Sequence, residues 1–234
     1  MEKPLFWHQG LFLNPQHFQL FDRYVQALTN AAPPYLQPHF WGVGSMKIQD
    51  AALGNHTLQL IEGEFCFTDG AFVSFPGNGL LEPRSFGDGF FEGGKPLGCY
   101  LGLRKWNSGG DNVTVLSNLD HVGGVTTRFV TSTESDQVID LHQTGPDAQV
   151  RQMFYVLKLF WESEVDQLGD YELIPLTLLV RNGEEVVRSE RFFPPCLSVS
   201  AIPPLRKLVM EIRDQLTSRA HQLEAYKRSR GIHT

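Results

Sequence analysis

The sequence predicts a mainly β protein, an all-β sandwich or barrel with a short N-terminal helix and a long C-terminal helix. Three observations carry that expectation. From Phe40 to Arg191, short apolar runs alternate with Gly, Asn, Asp and Pro, the spacing of consecutive strands and turns. Ahead of that stretch, one segment places apolar residues at helical intervals. Beyond Pro204 the pattern turns helical again, with no further proline.

The elements follow in order. Leu5 to Leu13 reads as a short extended segment. Asn14 suits an N-cap and Pro15 the first helical position, where its missing N–H is not needed. Phe18, Phe21, Val25 and Leu28 then recur at helical spacing, joined by Leu20 and Tyr24. The helix should stop before Pro33-Pro34. Strands are expected over Trp41–Ile48, Thr57–Phe67, Ala71–Phe75, Leu97–Trp106, Val113–Leu116 and Thr126–Thr131. In the second, Leu58 and Leu60 share one side, with Phe65 and Phe67 further on. The third follows the turn signal Asp69-Gly70. Gln152–Trp161 is apolar on nearly both faces except at Lys158. A central strand buried on both sides fits it, although periodicity alone fits a helix as well. Tyr171–Val180 and Glu184–Phe193 flank Asn182-Gly183, the strongest hairpin signal in the chain. Pro175 asks for an edge position or a bulge. Pro76 to Pro96, rich in Gly and Pro and carrying Phe86, Phe90 and Phe91, reads as a long irregular loop. It serves either as a connection or as a candidate binding surface.

The expected organisation is a β-sandwich over residues 1–193, a Pro-rich linker over 194–204, and a helix over 205–234. In that helix Val209, Leu216 and Leu223 lie seven apart, and Leu205, Ile212, Arg219 and Tyr226 form a second heptad series. Such a seam needs another helix to bury against. Either the chain oligomerises through it, or a further C-terminal region supplies the partner. Arg219 interrupts the apolar line, capping a layer or snorkelling outward.

Composition narrows the function. The 234 residues are 41% hydrophobic and 12% aromatic, enough for a sizeable core. The net charge of −6 is uneven: residues 1–204 hold 13 Lys and Arg against 23 Asp and Glu, and residues 205–234 hold 7 against 3. An acidic body argues against nucleic acid. The basic tail reads as a solvated helix end rather than a phosphate or membrane site. Cys66, Cys99 and Cys196 form no C-x-x-C pair, and each sits among apolar residues as a small buried hydrophobe. No stretch approaches the ~18 apolar residues of a membrane span, and the first residues lack an h-region. A cytoplasmic protein is expected, without direct membrane insertion, on which the sequons at Asn55 and Asn112 carry no meaning.

The chain offers little chemistry. It has no G-x-S-x-G elbow, no G-x-x-x-x-G-K-[ST] phosphate loop, no G-x-G-x-x-G turn and no H-E-x-x-H. His8 and His17, near Glu2 and Asp22, match no familiar ligand spacing. Glu62/Glu64 and Glu162/Glu164 could supply an acid and a base from one strand face, but a solvated edge explains them as well. Cys66 would need a neighbouring base to act as a nucleophile. The expectation is a non-enzyme without cofactor or metal. The aromatic cluster of Phe6, Trp7, Phe12, Phe18 and Phe21 fits either core packing or a groove for a partner segment. A carbohydrate- or peptide-binding module and a hydrolase using Glu62 or Glu64 stand as alternatives.

A family resemblance sharpens this. Trp7-His8-Gln9-Gly10-Leu11-Phe12-Leu13-Asn14-Pro15-Gln16-His17-Phe18-Gln19, continued by Asp22-Arg23-Tyr24, resembles the opening signature of the TssK family, W-x-x-G-x-F-L-x-P-Q-H/Q-F-Q. Trp41-Gly42-Val43 matches its W-G-V. Phe192-Phe193-Pro194-Pro195-Cys196-Leu197, then Ser198 to Pro203, matches a later F-I-P-P-x-L-x-x-S-A-x-P stretch. His8 and Gln9 stand where that family often has acidic residues, and Phe193 replaces its Ile. The resemblance implies a homotrimeric baseplate subunit of the bacterial type VI secretion system. Its N-terminal domain would be a β-sandwich similar to the shoulder domain of phage receptor-binding proteins, docking onto the wedge proteins TssF and TssG. A C-terminal domain beyond this chain would reach the membrane complex through TssL and TssM. On that basis Trp7, Phe12, His17, Phe18, Phe86 and Phe90 are candidate partner contacts, and Leu205, Val209, Ile212, Leu216 and Leu223 a candidate oligomer seam.

Overall fold

The computed structural model describes residues 15–31, 39–138 and 148–231. The extended segment expected over Leu5–Leu13, and with it Trp7, His8 and Phe12, lies outside the described residues. Helix α1 spans Pro15–Ala31, so Pro15 opens it and it closes ahead of Pro33 as expected. Next come β1 (Gly42–Ile48), a helical turn α2 (Asp50–Leu53), β2 (Thr57–Leu58), β3 (Leu60–Cys66) and β4 (Phe72–Phe75). They are followed by β5 (Gly79–Leu81), β6 (Arg84–Ser85), β7 (Leu97–Arg104), β8 (Val113–Leu116) and β9 (Phe129–Ser132). The last strands are β10 (Asp136–Val138), β11 (Ala148–Val150), β12 (Phe154–Trp161), β13 (Tyr171–Asn182) and β14 (Glu185–Arg188), before helix α3 (Pro203–Gly231).

Two sheets face each other, the sandwich the sequence predicts. The smaller is antiparallel in the order β1-β3-β4. The larger runs β14-β13-β7-β12-β9-β8, with β5 parallel against β12. Two-stranded ribbons β2-β6 and β10-β11 complete the set. Alternation along each strand aims one face inward. Val43, Phe65 and Val73 come from the small sheet; Leu97, Cys99, Leu101 and Leu103 of β7, Leu157, Leu159 and Trp161 of β12, and Ile174 and Leu179 of β13 come from the large one. Each large apolar side chain buried this way contributes about 1.5–3 kcal/mol.

Strand β12 lies between β7 and β9, which settles Gln152–Trp161 as a central strand. Val156 on its second face packs with Val122, Val125 and Val130 in a smaller cluster on the outer side of the large sheet. Two bulges explain why inward residues change phase. Ile48 pairs with Leu60 but Lys47 with Glu62, leaving Ile61 extra, so Leu60 and Phe65 both face in. On β13, Pro175 pairs with Tyr100 and Thr177 with Cys99, leaving Leu176 extra. This is the bulge that Pro175 asked for. The hairpin after β13 sits one residue later than expected: Asn182 pairs with Glu185, so Gly183 and Glu184 form the turn, and Gly183 supplies φ +65°.

Two expectations are corrected. Pro76 to Pro96 is not irregular; it holds β5, β6 and a 3-10 turn over Asp88–Gly94. Phe86 is 5% exposed and Phe91 is buried, both within the main core. The stretch over 194–204 is not a free linker either. The Val43 N–H donates to the Pro195 carbonyl at 2.8 Å, and the Leu197 N–H donates to the Val43 carbonyl at 2.9 Å. Gly42, at φ +122°, allows this approach, since a Cβ there would lie 2.3 Å from the Pro195 oxygen. Helix α3 already begins at Pro203, with Ile202 buried and Leu205 packed against the core.

The turn between β3 and β4 ties the sheets together. Arg128 is 6% exposed, pairs with Asp69 at 2.8 Å and donates to the Arg104 carbonyl at 2.8 Å. Thr68 hydrogen-bonds to Glu172 beside it. Among the described residues, no buried side-chain nitrogen or oxygen lacks a partner.

Candidate functional site

The apolar surface this fold leaves open lies mainly on its helices. In α1, His17, Arg23, Tyr24 and Ala27 are half-buried, while Phe18, Leu20, Phe21 and Val25 are exposed, Phe18 to 55%. The Arg23 guanidinium lies over the Trp106 ring, 4.3 Å from its centroid. Thus α1 touches the sandwich through the Arg23 guanidinium. In α3, Leu205 is half-buried, but Val209 and Ile212 are exposed, Leu216 is 66% and Leu223 is 69% exposed. Beyond Leu205 the heptad seam is therefore exposed, as is Tyr226.

The aromatics of the 76–96 region are divided. Phe86 stacks on His56 and meets Trp161 edge-on, with ring centroids 5.6 and 6.1 Å apart. As folded, it has no face for a partner. Phe90 is partly exposed but leans on Trp161 at 6.1 Å. Of the loop aromatics that, with the N-terminal ones, suggested a carbohydrate- or peptide-binding module, Phe86 and Phe91 are turned inward and Phe90 is exposed.

The carboxylate pairs differ. Glu62 and Glu64 are exposed on β3, opposite Lys47 and Ser45. Glu162 and Glu164 lie on a 3-10 turn, not on a strand. Arg84 grips Glu164 with two N–H···O bonds of 2.7 Å, and the Trp161 N–H donates to it at 2.8 Å. Arg84 also donates to the Leu159 carbonyl and lies over the Trp161 ring. Chiefly through the Arg84 hydrogen bonds, the Glu164 carboxyl titrates below its usual range, against the opposing effect of partial burial. This carboxylate is a fixed anion, unsuited to proton shuttling near neutral pH.

Cys66 and Cys99 are poor nucleophiles. Burial, then the charge of Asp69, raises the Cys66 thiol, and burial pushes Cys99 up to about 12. Lys158, expected as the polar break in β12, is half-buried; desolvation and then Arg104 lower its pKa, opposed by Glu82. A groove of about 910 Å³ between β1, α2, β14 and the start of α3 is lined by Met46, Leu53, Val186 and Ile202, and Arg188 pairs with Asp50 there at 2.7 Å. Among the described residues, no group of three or more His, Cys, Asp or Glu could hold a metal ion. No described helix is long and apolar enough to cross a membrane.

The family model described as "Bacterial Type VI secretion, VC_A0110, EvfL, ImpJ, VasE" matches residues 17–234. The chain belongs to this family. The type VI secretion baseplate component TssK1 of Pseudomonas aeruginosa is 27% identical over 226 residues, covering 93% of this chain and 47% of the relative. The chain thus spans about half the length of the curated relative it matches. Among solved structures, the type VI secretion TssK–TssF–TssG baseplate subcomplex, seen by cryo-electron microscopy, contains a chain with TM-score 0.79 at 24% identity. The match covers 95% of this chain and 71% of that one. The baseplate complex from the type VI secretion system gives TM-score 0.78 at 25% identity, over 97% of this chain and 70% of that one. The shared fold and the family model agree with the TssK resemblance carried by the Trp7–Gln19 and Phe192–Pro203 stretches.

Of the contacts expected from the sequence, Phe18 and the α3 seam beyond Leu205 are exposed, and His17 is half-buried. Sequence reasoning missed Arg23, Trp106, Arg84 and Arg128, whose partners lie far away in the chain. Arg23 was visible as part of the family motif, but nothing in the sequence pointed to Trp106.

Proposed function

We propose that this chain is a structural adaptor subunit of the type VI secretion baseplate, docking through its N-terminal domain onto the wedge proteins TssF and TssG. The observation that carries this is the outward stripe of α1. Phe18, Phe21 and Val25 share one face at i, i+3 and i+7 and are exposed, on a helix that Arg23 ties to the sandwich from the opposite face. Large aromatics open to water on a rigid support are the usual anchors of protein interfaces. TssF and TssG are the proposed occupants because the structurally similar TssK subcomplex contains them.

The α3 seam serves self-association in this proposal. Its heptad spacing suits parallel copies around a common axis, in keeping with the homotrimer that the resemblance implies. Trimerisation would multiply modest contacts by raising the effective concentration of each. A region following α3 would link the assembly to TssL and TssM, holding the subunit on the cytoplasmic side of the inner membrane.

Co-purification tests the docking. The chain, mixed with TssF and TssG, should be retained with them. The double substitution Phe18→Asp, Val25→Asp should lose them while the β-rich circular dichroism spectrum stays unchanged. Retention equal to that of the unaltered chain would rule α1 out as the docking element.

A further inference from the structure

We infer that the Arg23–Trp106 stack is a clamp that sets the pose of α1 and thereby holds its apolar stripe outward. The inference rests on the docking proposal for its purpose, but its geometry stands apart from it. An amphipathic helix ordinarily buries its apolar face. Here the reverse holds: Arg23 reaches the sandwich at Trp106, while Phe18 and Val25, on the opposite face of the helix, are exposed. The helix has 17 residues, little above the ~12–15 at which isolated helices are marginal in water, so tertiary contact decides whether it stays formed. A guanidinium over an indole face supplies a contact that an apolar stripe would otherwise provide.

The receiving ring is anchored in depth. Trp106 meets Phe129 edge-on at 6.5 Å, and Phe129 leans on Tyr155 at 4.7 Å. Buried Arg128 lies over both Phe129 and Tyr155 and is fixed by Asp69. An unbroken line of contacts therefore runs from α1 through the large sheet to the β3–β4 turn of the small one. The line also accounts for Trp106, a large aromatic left 43% exposed on a loop after β7. Its edge is held by Phe129 and its face is given to Arg23. Arginine suits the position better than lysine, because its planar group stacks on the ring.

Hydrogen exchange of the free chain, read by mass spectrometry, tests the clamp. Arg23→Ala and Trp106→Ala should each speed exchange of the α1 amides by about 2- to 5-fold, the range expected of one exposed cation–π contact. For the α1 amides the double variant should add little to either, since the stack is the interaction the two residues share. Arg23→Lys should fall between, and the amides of β7 and β12 should not change. Unchanged α1 exchange in Arg23→Ala, or effects that add in the double variant, would overturn the clamp. Co-purification of the same variants with TssF and TssG separates the two ideas. If α1 loosens and binding persists, the clamp stands and the docking role of α1 falls.

Discussion

The sandwich and helix α3 hold similar side chains in opposite surroundings. Leu101 is sealed between two sheets, whereas Leu216 is 66% exposed. Both are leucines set in regular patterns, one of period two and one of period seven. The sandwich closes its pattern internally, because a second sheet of the same chain covers the first. The seam of α3 has no second helix of matching length among the described residues. Hydrophobic patterning thus states what must be covered, and topology decides whether the chain covers it alone.

The contrast has a direct test in stability. Leu101→Ala should cost about 2–5 kcal/mol, through lost burial and the cavity left behind. Leu216→Ala in dilute chain should stay within about 0.5 kcal/mol, as surface changes do. Denaturant unfolding of both variants measures the difference, and equal costs would break the comparison.

The ion pairs sharpen it at smaller amplitude. Arg128→Met removes the buried partner of Asp69 and should cost about 2–4 kcal/mol, below the full penalty for a buried pair because Asp69 still touches water. Arg188→Met breaks the exposed pair with Asp50 and should cost about 0–1 kcal/mol. Midpoints of thermal unfolding should fall in that order.

The smallest effect is a pH dependence at Glu164. Its folded-state pKa lies below the ordinary 4.5. A carboxyl depressed by folding adds stability that is fully present above its unfolded pKa and is lost as pH falls through the folded pKa. The melting-temperature gap between the unaltered chain and Glu164→Gln should therefore be constant above about pH 5 and close progressively in more acid solution. A gap that widens on acidification would show that Arg84 does not hold the ionised form.

Much of this fold was legible in the sequence where one residue carries a strong local preference. Pro15 opened α1, Pro175 forced a bulge, and the alternation in Leu97–Arg104 marked a strand with one buried face. Short elements were not legible. Strand β5 has three residues and β6 two, too few for a period, and β5 forms through parallel pairing with a strand some 75 positions on. That pairing and the 3-10 turn after it carry Phe86 into the core, which a Gly- and Pro-rich composition does not announce. The docking of Pro194–Cys196 on β1 likewise depends on Gly42, more than 150 residues earlier. For the candidate site, the apolar faces of α1 and α3 could be read from spacing, but not whether that of α1 would be buried or open. The Arg23–Trp106 and Arg128–Asp69 contacts could not, because each joins segments that only the finished sandwich brings together.

The most direct measurement is the amide-exchange footprint of TssF and TssG on the chain. Docking through α1 predicts slowed exchange in α1, residues 15–31, with the interior strands β7 and β12 unchanged. Protection confined to the sheet faces, with α1 exchanging as it does in the free chain, would contradict it.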